Sequence, residues 1–182
     1  EVAGKKVKAP KLTADGKLDL NNCKVNCLDL LNEKALIVHP EIDEPKDFFY
    51  FDLNGEIKAK DNNSKAEKTI EIVKLNNENL FLKRKKLVDD LFFDCERASE
   101  QFLEYLNDTQ NIYTDKELKL AFFPFFKKLI ELQSQEVEFT LLCSELLERF
   151  DYFFLYKIEK TYSEELKKIL ITAFQQFSTS KP

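Results

Sequence analysis

Histidine occurs once in this sequence, glycine three times, and methionine and tryptophan not at all. Each scarcity removes a class of chemistry. Phosphate-cradling loops need several glycines close together so that backbone N–H groups can reach the ligand. Gly4, Gly16 and Gly55 stand far apart, so there is neither a Walker loop nor a dinucleotide fingerprint. The single His39 excludes His-pair metal motifs, and any catalytic triad would have to recruit it. It sits between Val38 and Pro40, near acids, and reads as a filler residue. Without methionine, residue 1 is expected not to be a translation start, so the chain is expected to be a processed product or a piece cut from a longer sequence. No stretch approaches the ~20 apolar residues of a membrane span, and no signal peptide is recognisable.

What is present is an ordinary globular composition: 182 residues, 43% hydrophobic and 34% charged, with a formal charge of −5 and a pI near 5.2. The acidic balance and the lack of a reading motif exclude nucleic acid as a partner. The expectation is a non-enzymatic chain with no cofactor and no metal.

The four cysteines are Cys23, Cys27, Cys95 and Cys143. Cys23 and Cys27 are four residues apart and share a face if residues 22–31 are helical, which makes a bond between them awkward. The expectation is that each reaches one of the distant pair, Cys95 or Cys143. Such bridges would close loops of about 70 to 120 residues and contribute roughly 3 to 5 kcal/mol each in the chain-entropy model. Four reduced, buried thiols are the alternative. A four-thiolate zinc site is disfavoured, because Cys95 and Cys143 each lack a neighbouring cysteine.

Residues 1–16 are lysine-rich with few large apolar groups and read as a flexible basic arm. Residues 17–182 read as one globular domain, with a cysteine-bearing segment and β-meander over 17–82 and a helical bundle over 83–182. Strands are expected at Ala35 to Val38, Phe48 to Leu53, Glu56 to Lys60 and Thr69 to Leu75, with Asn54-Gly55 forming a type I′ turn. The period then becomes helical. Leu80, Leu87, Leu91, Cys95, Ala98, Phe102 and Leu106 fall on one stripe, which predicts a helix of roughly 20 to 25 residues. Thr114 to Glu117 has the form of a capping box and opens a second helix, which Pro124 should kink or restart. A third helix is expected over about 135–159, and Thr161 to Glu164 forms a second capping box before the last. The fold class is therefore α+β with helix dominant: an N-terminal helix and a short antiparallel meander packed on a C-terminal bundle.

Seventeen phenylalanines, many in pairs, dominate the apolar inventory. They build either a core or a Phe-lined cavity for a lipid or haem-like ligand. Consecutive phenylalanines cannot all face one side of a regular helix, so Phe123 and Phe126 are candidates for a partner-binding patch. Lys83, Arg84, Lys85 and Lys86 form a cationic run that would hold a sulfated or sialylated glycan or anionic lipid heads, or else a solvated face close to Asp89 and Asp90. Asp89, Asp90, Asp94 and Glu96 read as surface charge. Asn62-Asn63-Ser64 and Asn107-Asp108-Thr109 match the N-glycosylation acceptor pattern.

In composition, and in the basic arm followed by Lys17-Leu18-Asp19-Leu20-Asn21-Asn22-Cys23-Lys24-Val25-Asn26-Cys27, the chain resembles the merozoite surface antigens of Babesia-like piroplasm parasites. The resemblance supplies no catalytic motif. It implies an extracellular, antibody-exposed antigen or adhesin, GPI-anchored or shed, that meets a host-cell receptor or glycan on erythrocytes. The membrane would be reached only through a lipid anchor whose signal, like the leader, is not among these residues.

Overall fold

The computed structural model describes residues 14–15, 35–39, 42–108, 113–133 and 138–179. The expected N-terminal helix and nearly all of the basic arm lie outside them. Among the described residues the first regular element is a single helical turn, α1 (Pro45–Phe48), with proline in its opening positions, where the missing N–H costs nothing. It leads directly into β1 (Phe49–Phe51), which pairs antiparallel with β2 (Ile57–Ala59), Phe51 standing opposite Ile57.

The hairpin turn lies at Asn54-Gly55 but is not type I′. Gly55, at φ +75°, is the only residue of the turn with positive φ, whereas type I′ requires two. Asp52 explains the difference. Its carbonyl accepts from Gly55 N–H (2.9 Å) and its carboxylate from Asn54 and Glu56 N–H (2.8 and 2.9 Å), which gives a three-residue loop closed by a left-handed glycine. A Cβ on Gly55 would lie 3.1 Å from the backbone and Cβ of Arg84, so glycine is required by space as well as by φ.

The meander stops at two strands. Val38 is not in a strand; its N–H donates to Thr69 Oγ1 at 2.8 Å. Thr69 to Leu75, expected to be a strand, mostly falls in α2 (Ser64–Val73). The Asn63 side chain caps that helix by accepting from Lys65 and Ala66 N–H, and the buried pair Ala66 and Thr69 has the helical spacing. The alternation of Ile70 and Ile72 is incidental, since Ile72 is exposed.

The long helix α3 (Glu78–Asp108) buries Leu91, Cys95, Ala98, Phe102 and Leu106 along the expected stripe. Its 31 residues exceed the expected length. Thr114 and Glu117 form the expected capping box at the start of α4 (Asp115–Glu131). Pro124 neither ends nor restarts that helix. The carbonyl deprived of its partner belongs to Leu120, which is on the exposed face, where water can serve it.

The single helix expected over 135–159 is broken into α5 (Thr140–Glu148), a π-helical turn (Asp151–Leu155) and α6 (Tyr156–Thr161). The wide turn has a packing reason: it buries the three consecutive residues Phe153, Phe154 and Leu155, which a regular helix would spread around its circumference. The last helix, α7 (Glu164–Thr179), is capped by Ser163, whose hydroxyl accepts from Leu166 N–H at 3.1 Å. Thr161, expected to be the cap, instead ends α6 and donates to Lys157 O.

α4 packs against α3 and α7, β2 against α2, and β1 against α5. Aromatic rings fill the middle. Phe150 stacks on Phe174 with centroids 4.2 Å apart and planes at 6°, and Phe125 meets Phe154 edge-on at 5.2 Å. The architecture is helix-dominant α+β, with a hairpin in place of a meander.

The Tyr162 hydroxyl donates to Glu100 Oε1 at 3.0 Å and ties the α6–α7 junction to α3. Burial first, and then the Glu100 carboxylate, push its pKa from the ordinary 10.0 up to about 12. A group that keeps its proton longer in the folded state contributes its stability in full below the unfolded pKa and loses it as pH rises through the folded one. Urea midpoints are therefore expected to fall between pH 10 and 12, and Tyr162→Phe should flatten that part of the profile.

Candidate functional site

The cationic run on α3 does not form a basic patch. Arg84 is buried, at 4% exposure. Its Nε donates to Gly55 O at 2.7 Å, and its Nη2 to Leu75 O and Asn76 Oδ1 at 2.9 Å each. The guanidinium also lies over the rings of Phe51 and Phe139, 5.8 and 5.9 Å from their centroids. Burial lowers its pKa from the usual arginine value, though an arginine stays charged. It anchors the hairpin turn and is not available to a partner. Lys85 and Lys86 pair with Asp89 and Asp90 at 2.7 and 2.6 Å, and Lys83 approaches Glu138 at 3.8 Å. The acids read as surface charge thus neutralise the lysines one turn before them.

Phe126 is also removed from the candidate patch. It is 2% exposed and touches the rings of Phe122, Phe125, Phe150, Phe174 and Phe177. α4 has packed neighbours on two sides, so two adjacent phenylalanines can both be buried. Phe123 remains 50% exposed, edge-on to Phe177 at 5.8 Å, and Leu120, one turn earlier, is 65% exposed. With Pro124 they form an apolar strip on the outer face of α4, among the exposed Lys116, Lys119 and Lys127.

Cys95 and Cys143 are free thiols and fully buried. The expected staple to Cys23 or Cys27 is not made at either, and Cys23 and Cys27 lie outside the described residues. Cys95 sits on the inward stripe of α3, where bundle side chains surround it, and burial pushes both thiol pKa values up. Among the described residues no group of three or more His, Cys, Asp or Glu could hold a metal ion, and no helix is long and apolar enough to cross a membrane.

Among the described residues, a recess where several charged groups converge lies beside the hairpin. In a two-stranded ribbon the pair Phe51 and Ile57 turns its N–H and C=O groups outward, with no third strand on either side. Side chains from outside the sheet take those roles. On the β2 edge, Asn76 Oδ1 accepts from Ile57 N–H (3.0 Å) and Asn76 Nδ2 donates to Ile57 O (2.8 Å). On the β1 edge, Phe51 N–H donates to Glu145 Oε2 (3.0 Å), and Arg149 Nη1 donates to Phe51 O (3.2 Å) and to Glu145 Oε2 (2.9 Å). Glu145 is 5% exposed and Arg149 is half-buried. Tyr50, whose side chain leaves the strand opposite to those of Phe49 and Phe51, opens beyond this pair into a cavity of about 500 Å³, also lined by Lys60, Asp61 and Asn62. No phenylalanine lines it.

A second cavity, of about 320 Å³ between α3 and α7, is lined by Leu103, Leu106, Leu166 and Ile169 among others, again with no phenylalanine. The phenylalanine rings pack on one another, and nothing in that packing favours a Phe-lined carrier cavity.

Glu145 and Arg149 were not among the sequence candidates. The available signal was an acid and a base at i and i+4 inside the apolar run from Leu141 to Phe154. No family model matches the chain, and no curated protein or solved structure matches it.

The thiols give a direct check. Alkylation of native protein by iodoacetamide at pH 8 should leave Cys95 and Cys143 unmodified, and denaturant should expose both to complete labelling, as read by peptide mass spectrometry. Rapid native labelling of either would contradict their placement.

Proposed function

We propose that the chain is a non-enzymatic interaction domain of the secreted or cell-surface type, an antigen or adhesin of the kind its cysteine-bearing opening resembles. In this reading it engages a host-cell surface receptor or glycan, is exposed to antibodies, and carries its function on an outer face. The observation that supports it is the strip on α4. Leu120 and Phe123 stand exposed one turn apart on a helix whose other faces are packed, and the chain has ample apolar residues elsewhere for its core. Both side chains are already partly buried, so covering the remainder of each with a partner is worth about 1–2 kcal/mol, enough to make them leading contacts in a modest interface. The surrounding lysines supply the polar rim that such an interface needs.

Erythrocyte binding by the wild-type domain, compared with the double variant Leu120→Ser/Phe123→Ser, tests the reading. Saturable wild-type binding, weakened about tenfold or more in a variant that keeps its helical circular dichroism and a cooperative thermal transition, is the expected result. Absence of saturable binding, or equal binding by the two proteins, overturns it.

A further inference from the structure

We propose that the cavity beside the hairpin binds a sugar bearing a single carboxylate. The inference does not rest on the α4 strip, which is built from other residues. Its centre is Arg149. Nη1 is committed to Phe51 O and Glu145 Oε2, and the guanidinium stacks on Tyr152 with 4.2 Å to the ring centroid. Stacking and two hydrogen bonds fix the plane of the fork before any ligand arrives. Among the described residues, Nε and Nη2 have no protein partner, which leaves the fork edge that takes a carboxylate through two parallel hydrogen bonds.

The rest of the lining supplies what a sugar ring requires. Tyr50 offers a flat aromatic wall, 5.8 Å from the Arg149 guanidinium, for the C–H face of a pyranose. Asp61 and Asn62 are consecutive left-handed residues, at φ 49° and 54°, a conformation that Asp and Asn accept more readily than other side chains. Both are exposed, and neither side chain hydrogen-bonds to a described residue, so a carboxylate and an amide are free for ligand hydroxyls.

Charge sets the class of ligand. Arg149 and Lys60 are balanced by Glu145 and Asp61, so the lining is neutral as a whole and unsuited to a polyphosphate or a heavily sulfated chain. Glu145 is already bound to Phe51 N–H and Arg149 Nη1, while Asp61 needs a hydroxyl donor that a simple anion lacks. One carboxylate with several hydroxyls satisfies every group. The volume of about 500 Å³ accommodates one or two sugar rings.

The test uses the whole chain produced in bacteria, so that Asn62, the first residue of an Asn-Asn-Ser acceptor, carries no glycan. N-acetylneuraminic acid, glucuronic acid, glucose, acetate and sulfate are titrated separately and followed by NMR. Saturable binding of at least one of the two carboxylated sugars is expected, with a Kd on the order of 1 mM, and glucose, acetate and sulfate should bind about tenfold more weakly or not at all. Arg149→Lys keeps the charge but loses the fork, and should weaken the sugar about tenfold. Asn62→Gly keeps the left-handed turn without the amide, and should weaken it about threefold at an unchanged thermal midpoint. Leu120→Ser/Phe123→Ser should bind the sugar as the wild type does. Failure of both carboxylated sugars to saturate, acetate or sulfate binding as tightly as the sugar, undiminished binding in Arg149→Lys and Asn62→Gly, or dependence on Leu120 and Phe123 would each overturn the proposal.

Discussion

The outward-facing pair of a two-stranded ribbon is the constraint around which this molecule is arranged. Phe51 and Ile57 are both buried, so their four backbone polar groups cannot turn to water, and each unpaired group would cost about 1–3 kcal/mol. Other folds meet this demand with more strands. Here Asn76 serves one edge with its amide, and Glu145 and Arg149 serve the other with an ion pair. Each side-chain set reproduces the donor and acceptor of a missing neighbour, and so fastens the ribbon to the turn between α2 and α3 on one side and to the C-terminal end of α5 on the other.

Arg84 completes the attachment from below. It bonds to the carbonyl of the hairpin turn, to the end of the segment after α2, and to Asn76, which already holds Ile57. A cation with only neutral acceptors and two aromatic faces is an expensive core residue, and it holds three pieces of backbone in one place. The close approach of Gly55 to Arg84 follows from this arrangement. Away from the hairpin, shape takes over from polarity. The phenylalanines close on one another, and the π-helical turn admits three consecutive side chains to the interior.

Features that depend on local chemistry were legible in the sequence. The Thr114–Glu117 box, the inward stripe of α3 and the position of the hairpin turn all follow from neighbouring residues. Tertiary competition decided the others. Thr69 to Leu75 alternates like a strand, but Asn63 caps a helix ahead of it. Arg84 stands in a run of lysines and differs from them only because a carbonyl waits at the turn. The paired charges of Glu145 and Arg149 resemble an ordinary surface pair until the ribbon is placed against them. For the same reason the cavity was invisible: Tyr50 and Asp61 lie about half a chain length before Arg149 and meet it only after the ribbon docks.

Docking also links architecture to the proposed chemistry, because the interaction that satisfies Phe51 orients the Arg149 fork. Hydrogen exchange at the Phe51 and Ile57 amides tests that link most directly. Side-chain substitution of the missing strands predicts that both amides exchange as slowly as the ladder amide of Asp52, which donates to Glu56 O at 3.0 Å. Exchange at the rate of a free sheet edge, at either residue, would contradict the account.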